Sequence, residues 1–188
     1  MTDARATPSI TLDQLEMMLR DQPRKPPVEK WQPELSGEMD MRIDVSGDWY
    51  HEGTKIQRQS LVNLFASILR READGHYYLL TPVEKWRIRV DDAPLLAIDA
   101  DVGGEGAEQK WMFTLNTGER VLLDAAHPLT VAIDSESDEP RPYLQLDRGL
   151  SARVARPVFY RLVDAAHVDK NELQLISTGT KFVLGRIS

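Results

Sequence analysis

The stretch RQSLVNLFASILRR, residues 58–71, has the pattern of a helix with one buried face. Apolar residues recur in it at positions i, i+3, i+4, i+7 and i+8: Leu61, Leu64, Phe65, Ile68 and Leu69. This spacing places them on one side of a helix, which packs on a core. The turn residues Asp74 and Gly75 follow directly. The stretch therefore predicts a helix over residues 58–71.

Segments typical of β-strands surround this helix. Apolar and polar residues alternate over residues 39–45, and a hairpin is predicted over 49–57. Two further strands follow over 76–81 and 85–90. The middle of the chain, residues 95–134, predicts a β-meander, and a second helix over 156–167 leads to a final hairpin.

The two helices and the hairpins that follow them match in sequence pattern. A shift of 98 residues superimposes the helices, and a shift of 96 superimposes the hairpins. The matched pairs include Arg58 with Arg156, Leu61 with Phe159, Leu64 with Leu162, Phe65 with Val163, Leu79 with Leu175, Lys85 with Lys181 and Trp86 with Phe182. Upstream, Gly47 falls on Gly149 at a shift of 102. Few of the pairs are identities, so the alternative is two amphipathic units that match by pattern alone.

We predict an internally duplicated strand–helix–hairpin unit in a strand-rich α+β fold. The duplication divides the chain after its N-terminal region into residues 37–93 and 94–188. Residues 1–36 form a separate piece, with a short helix whose apolar stripe includes Leu15 and Met18. A proline-rich arm over 22–33 follows, and it holds four of the eleven prolines, so we expect it to be extended.

Composition excludes several classes of protein. The 188 residues carry 23 basic and 30 acidic side chains, and this net charge of −7 argues against nucleic-acid binding. No cysteine is present, which excludes disulfides, thiolate metal sites and cysteine nucleophiles. The four histidines show no metal-ligand spacing, and no motif predicts a cofactor or metal. No apolar run approaches the roughly 20 residues of a membrane helix, so we expect a cytoplasmic protein.

Several short motifs resemble those of an uncharacterised bacterial family, one of the domains of unknown function. They are GDWYHEG at 47–53, EKWRI at 84–88, NTGE at 116–119, HPL at 127–129, RGL at 148–150 and RPV at 156–158. The resemblance implies a duplicated core whose C-terminal half is similar to a pleckstrin-homology barrel. It also implies a site between the halves for a nucleotide-like ligand in signal transduction. It assigns no catalytic residue.

Charge is distributed unevenly along the second half. Residues 95–140 hold ten acids and two bases, whereas residues 141–161 hold five arginines and one acid. Because arginine suits phosphate and carboxylate groups, we predict an anion site built from Arg148, Arg153 and Arg156. Arg156 also begins a predicted helix, where anions are favoured. The alternative is that these arginines pair with the neighbouring acids as a surface network.

The predicted anion site has further candidates outside the arginine cluster. Lys85 and Arg87 of the first hairpin would face it across the seam between the halves. Trp49 or Tyr160 would supply a ring on which a base can stack.

Three functions remain open at this point. A ligand-binding or sensor protein is preferred, with a small nucleotide-like molecule as its partner. A protein-interaction module would instead dock a protein partner, or a second copy of the chain, on a sheet edge or the N-terminal helix. A hydrolase would use His51 or the pair Asp99 and Asp101, whose alternation places both on one face of a strand.

Overall fold

The computed structural model describes residues 25–188, together with Asp13 and Met17. The chain divides into two compact units, Met1–Asp92 and Ala93–Ser188. Most of the predicted N-terminal helix, including Leu15 and Met18 of its stripe, lies outside the described residues. No helix of the described part is long and apolar enough to cross a membrane.

Within residues 25–92, the first unit has one six-stranded sheet and one α-helix. Its elements are β1 (Leu35–Ile43), β2 (Trp49–His51), β3 (Thr54–Lys55), α1 (Gln59–Ser67), β4 (Leu69–Arg71), β5 (Tyr77–Leu80) and β6 (Lys85–Val90). The strand order is β3-β2-β1-β6-β5-β4. The central pair, β1 and β6, is parallel, and the other neighbours are antiparallel.

Helix α1 packs its predicted apolar face into the core. Phe65 is fully buried, and its ring stacks on Trp49 of β2 with the ring centroids 6.0 Å apart. Leu61 and Val62 are also buried. The 3.6-residue period therefore identified Leu61 and Phe65 correctly, whereas Leu64 is only half-buried and Val62 lies outside the predicted stripe.

The predicted end of this helix was wrong. Helix α1 ends at Ser67, and the residues from Leu69 to Arg71 form β4. The backbone of Leu80 donates to the carbonyl of Ile68 (3.0 Å), and Leu69 lies opposite Leu79. Pairing with β5 keeps Ile68 and Leu69 fully buried, so tertiary contacts override the helical pattern. Gly75, with φ of 83°, lies in the β4–β5 turn and does not cap the helix.

The described part of the proline-rich arm packs against this unit. It contains a 3-10 turn, Val28–Lys30, where an extended chain was predicted. Val28 is fully buried. Arg70 of β4 donates to the carbonyls of Val28 (3.0 Å) and Trp31 (2.8 Å). The arginine thus ties the arm to the sheet.

The second unit has two sheets and one helix. Its elements are β7 (Leu95–Gly103), β8 (Lys110–Leu115), β9 (Arg120–Leu122), β10 (Leu129–Ile133), β11 (Pro140–Gln145), β12 (Ser151–Val154), α2 (Arg156–Ala165), β13 (His167–Asp169), β14 (Glu172–Ser177) and β15 (Thr180–Arg186). One sheet has the order β10-β11-β12-β7-β8-β9, and the other has the order β13-β14-β15.

The strand-rich α+β class is confirmed, with two corrections in the second unit. The predicted meander is two antiparallel groups of three strands, joined by parallel pairing of β12 with β7. In addition, the strands of residues 93–188 form two open sheets and no closed barrel. The barrel that the resemblance implied for this half is therefore not closed by strand pairing, because its two sheets share no ladder.

The internal duplication is confirmed and extends further than the sequence indicated. In the first unit Met41 pairs with His51, Arg42 with Tyr50 and Ile43 with Trp49. Adding 102 to each number gives Tyr143 with Arg153, Leu144 with Ala152 and Gln145 with Ser151, which are the observed pairs of β11 and β12. Adding 96 to the pair Leu79 and Trp86 gives Leu175 and Phe182, which also pair. The repeated unit therefore includes the hairpin before the helix.

Candidate anion site at the start of the second helix

Helix α2 begins without a side-chain cap. Its N-cap residue is Ala155, whose own backbone amide donates to the carbonyl of Ala97 on β7 (2.9 Å). Pro157 lies in the first turn, and that turn contains no acidic residue. Because the first amides of a helix lack partners within it, its N-terminus favours an anion. The sheet fixes the position of this helix start through Ala97.

A carboxylate from another part of the chain contacts the first residue of this helix. Arg156, the first residue of α2, places Nη2 2.6 Å from Oε2 of Glu139. The two side chains are 62% and 54% exposed. Glu139 directly precedes β11, so the ion pair joins the β10–β11 loop to the helix start. The guanidinium of Arg156, which the sequence assigned to an anionic ligand, therefore already forms an ion pair with a carboxylate.

The loop that carries Glu139 has a defined conformation. Oδ1 of Asp134 accepts from the backbone amides of Glu136 (2.8 Å) and Ser137 (3.0 Å). These hydrogen bonds, with the nearby Arg141, lower the pKa of Asp134 below its ordinary value. The backbone amide of Asp134 also donates to the carbonyl of Glu139 (2.9 Å). The loop is therefore closed on itself at Glu139.

Tyr160 lies on the same side of α2 as Arg156. The two residues are four positions apart, a spacing that places side chains next to each other along a helix. Tyr160 is 56% exposed. A cation and an exposed aromatic ring are thus adjacent on the surface of this helix.

The structure does not bring all three predicted arginines to one place. Arg153 lies on β12 between Tyr143 and Leu96, and the buried Ala152 and Val154 beside it show that it faces away from the core. Arg148 lies in the turn before β12 and has a φ of 60°. The four residues of β12 span about 13 Å, so Arg148 and Arg156 are at opposite ends of the strand.

Three arginines of residues 141–161 form ion pairs with acids, as the alternative of a surface network predicts. Besides Arg156, these are Arg141, which contacts Asp134, and Arg161, which contacts Asp99. The hydrogen bond from Arg161, together with the amide of Ala100, lowers the pKa of Asp99. The acidic and basic segments of the sequence therefore neutralise each other in part.

The carboxylates proposed for a hydrolase bind arginines. Asp99 contacts Arg161, and Asp101 accepts from Arg120 (2.9 Å). His51 is a half-buried residue of β2, where it pairs with Met41 and Thr54. Within residues 25–188, no group of three or more histidine and acidic side chains is placed to hold a metal ion.

Lys85, a predicted anion ligand, belongs to a charged network in the first unit. Its Nζ lies 3.1 and 3.3 Å from the two carboxylate oxygens of Glu72, and 4.8 Å from the ring centroid of Tyr78. Arg70 also donates to Glu72 (2.6 Å). Burial raises the pKa of Glu72, but the hydrogen bonds from Arg70 and Lys85 outweigh it, so the pKa is lowered.

The other two candidates in the first unit also have structural contacts. Arg87 on β6 lies 3.5 Å from Glu38 on the neighbouring β1. Trp49 is 1% exposed and stacks on Phe65. Its burial leaves no ring face on which a base could stack, so Tyr160 is the exposed ring of the two candidates.

The charged network predicts an unusual tyrosine titration. Tyr78 donates to Asp74, and this hydrogen bond raises the pKa of Tyr78 to about 12 from its ordinary value of 10.0. The bond favours the protonated phenol in the folded protein. Its contribution to stability is therefore complete below pH 10 and is lost as the pH rises towards 12.

We expect Asp74→Asn to lower this pKa towards the ordinary value. Tyrosinate absorbance measured against pH would show the change, and the difference between wild type and Tyr78→Phe identifies the transition. An unchanged titration of Tyr78 in Asp74→Asn would contradict the assignment of the hydrogen bond as the cause.

Sequence reasoning missed the two acids that organise these clusters. Glu139 and Glu72 meet their arginine and lysine partners across 17 and 13 positions of sequence. Periodicity does not predict such contacts. The one available signal for Glu139 was the surplus of acids just before the arginine-rich segment.

Comparison with known proteins matches residues 26–184 to one family. Residues 26–93 match the N-terminal domain of DUF1285, a domain of unknown function. Residues 94–184 match the C-terminal domain of DUF1285, described as a protein of unknown function. A comparison with curated proteins gives no match.

Two solved structures are similar to this chain, and both are bacterial. A DUF1285 family protein from Silicibacter pomeroyi DSS-3 is 38% identical over 95% of this chain and 97% of its own, with a TM-score of 0.89. A DUF1285 family protein from Shewanella baltica OS155 is 30% identical over 68% of this chain and 92% of its own, with a TM-score of 0.53. The resemblance noted in the sequence is thus confirmed, and the chain belongs to the DUF1285 family.

Proposed function

We propose that this protein is a non-catalytic ligand-binding or sensor protein that binds a small nucleotide-like anion at the start of α2. The observation that carries the proposal is the ion pair between Arg156 and Glu139. The phosphate of the ligand takes the place of the Glu139 carboxylate, and its base stacks on Tyr160. Arg153, three residues before Arg156 on the strand that leads into the helix, is the second cation of the site.

The exchange of carboxylate for phosphate is favourable for two physical reasons. An ion pair between exposed side chains typically contributes only about 0–1 kcal/mol, so little is lost when Glu139 leaves. A phosphate monoester carries a charge of about −1.5 to −2 near neutral pH and has three acceptor oxygens. It therefore accepts hydrogen bonds from the Arg156 fork and from helix amides at the same time.

The same exchange gives the protein a way to report the ligand. Glu139 is continuous with a loop that Asp134 closes through its own hydrogen bonds. Release of Glu139 frees one end of this loop from α2. A change in the β10–β11 loop on binding is the response that we assign to the proposed role in signal transduction.

Thermal unfolding against a panel of nucleotides and small anionic metabolites tests the proposal. A ligand at 100 times its dissociation constant should stabilise the protein by about 2.7 kcal/mol, which raises the unfolding midpoint measurably. Arg156→Ala should abolish this rise. Arg161→Ala is the matched control, because it removes an arginine of the same helix that pairs with Asp99 outside the site.

A second variant separates binding from simple loss of charge. Glu139→Gln removes the competing carboxylate, so it should increase affinity for the same ligand. A flat panel, or a rise that survives in Arg156→Ala, would contradict the proposal. Because the proposed role is non-catalytic, we expect the ligand to be recovered unchanged after incubation with the protein. Product release that His51→Ala or Asp101→Ala abolishes would favour a hydrolase instead.

A further inference from the structure

The two copies of the duplicated unit differ at one strand edge. In the first copy β6 pairs with β5 on one side and with β1, in parallel, on the other. In the second copy β15, the counterpart of β6, pairs with β14. The other edge of β15 forms no ladder with any strand of the described residues. Unpaired strand edges are ready sites for addition of another strand.

The register shows which backbone groups of β15 face this open edge. Ser177 and Thr180 close the β14–β15 hairpin, and Phe182 lies opposite Leu175. In an antiparallel pair the backbone groups of alternate residues point to the partner. Thr180 and Phe182 therefore bond to β14, and the amides of Lys181 and Val183 point outward. In agreement, the amide of Lys85, the counterpart of Lys181, donates towards β1, to Oγ of Ser36 (3.1 Å).

Strand β10 contacts β15 but forms no ladder with it. It lies near β15, and its ladder is formed with β11 alone. Leu129 is its one buried residue, while Ile133 at its end is 62% exposed. An added strand would take the place of β10 beside β15, and this exchange breaks no ladder between described strands.

The side chains of β15 indicate the chemistry of a strand that would pair there. Phe182 and Leu184 are buried, whereas Lys181 and Arg186 are exposed. Lys181 lies 3.9 Å from Asp169, and Arg186 lies 3.5 Å from Glu172, which are long and weak contacts. A strand with acids on its outer face complements these cations.

The first copy provides a model of such a strand. On β1 the acids Glu38 and Asp40 are exposed, and they alternate with Met39 and Met41, of which Met41 is buried. Glu38 contacts Arg87 of β6 across the parallel pair (3.5 Å). An extended segment that alternates acidic and apolar residues is therefore the occupant that this kind of edge accepts.

We propose that the open edge of β15 binds an extended acidic segment of a partner protein, added as a parallel strand as β1 is added to β6. The backbone of Lys181 and Val183 supplies the hydrogen bonds. Lys181 and Arg186 select acids on the outer face of the added strand. This interaction uses none of the residues assigned to the anion site at α2.

A labelled peptide with the β1 sequence, LSGEMDMRI, is the probe for this edge. Its fluorescence anisotropy, titrated with the full chain, should show saturable binding. Val183→Pro removes an outward amide and leaves the β14 ladder bonded, so it should weaken binding by about tenfold. Val183→Thr, which keeps the amide, is the matched control and should bind as wild type does. A peptide with lysine in place of both acids should bind about tenfold more weakly.

Each outcome bears directly on the proposal. Absence of saturable binding, or equal binding by Val183→Pro, would overturn it. If Val183→Pro fails to fold by circular dichroism, Lys181→Glu decides the matter. It should weaken binding of the acidic peptide and strengthen binding of the lysine peptide, and unchanged preferences would overturn the proposal. A dimer of wild type that Val183→Pro dissolves, without peptide binding, would mean that a second copy occupies the edge and would also overturn it.

Discussion

Replacement of Phe65 by alanine is expected to destabilise the first unit by about 3–5 kcal/mol, the usual cost of removing a buried aromatic ring. Phe65 is fully buried on α1, and its ring stacks on Trp49 of β2. The substitution removes the contact between α1 and the sheet at the most buried position of this helix. The cavity left behind adds to the loss of apolar contact.

Urea unfolding followed by tryptophan fluorescence measures this effect. Val83→Ala is the control, because Val83 is 73% exposed and its truncation should change stability by less than about 0.5 kcal/mol. A loss below about 1 kcal/mol in Phe65→Ala would contradict the placement of this ring in the core.

Replacement of Ser177 by alanine is expected to cost the second unit about 2–4 kcal/mol. The hydroxyl of Ser177 donates to the carbonyl of Leu123 (2.6 Å) and accepts from the backbone amide of Trp111 (3.0 Å). Both bonds are buried, and Ser177 has no exposed surface. Alanine leaves two buried backbone groups without a partner, each at a cost of about 1–3 kcal/mol.

The duplication supplies a matched control for this prediction. Thr81 is the counterpart of Ser177, and its Oγ1 accepts from the amide of Glu84 within its own turn (3.0 Å). Thr81→Val should therefore cost less, about 0.5–1.5 kcal/mol, because it loses this bond and a longer one from the amide of Val83 (3.4 Å), both within the turn. Chemical denaturation of both variants makes the comparison. Equal losses would show that Ser177 does not join β14 to the segment around Trp111 and Leu123.

The parts of the fold that follow from local pattern could be predicted from the sequence. The spacing of Leu61 and Phe65 identified the buried face of α1, and the shifts of 98 and 96 residues identified the repeat. The end of α1 could not be predicted, because Leu69 leaves the helix to pair with Leu79. That choice depends on a strand whose position is set by the tertiary fold.

The candidate site shows the same division. The sequence named Arg156 and Tyr160 separately, and their proximity on α2 follows from a spacing of four residues, which is a local property. The contact of Arg156 with Glu139 depends on how the β10–β11 loop folds, so no local pattern contains it. Trp49 was assigned to the site because large aromatic residues bind bases, but the core of the first unit needs the same property.

The central proposal is that an anion replaces Glu139 at Arg156, and two-dimensional NMR tests this most directly. Adenosine monophosphate and guanosine monophosphate would be titrated in turn into the full chain. We predict saturable shifts of the Arg156 side-chain resonance and of the Val158 amide, with tighter binding in Glu139→Gln. Unmoved resonances at Arg156 and Val158 with both nucleotides, or shifts that persist in Arg156→Ala, would contradict the account.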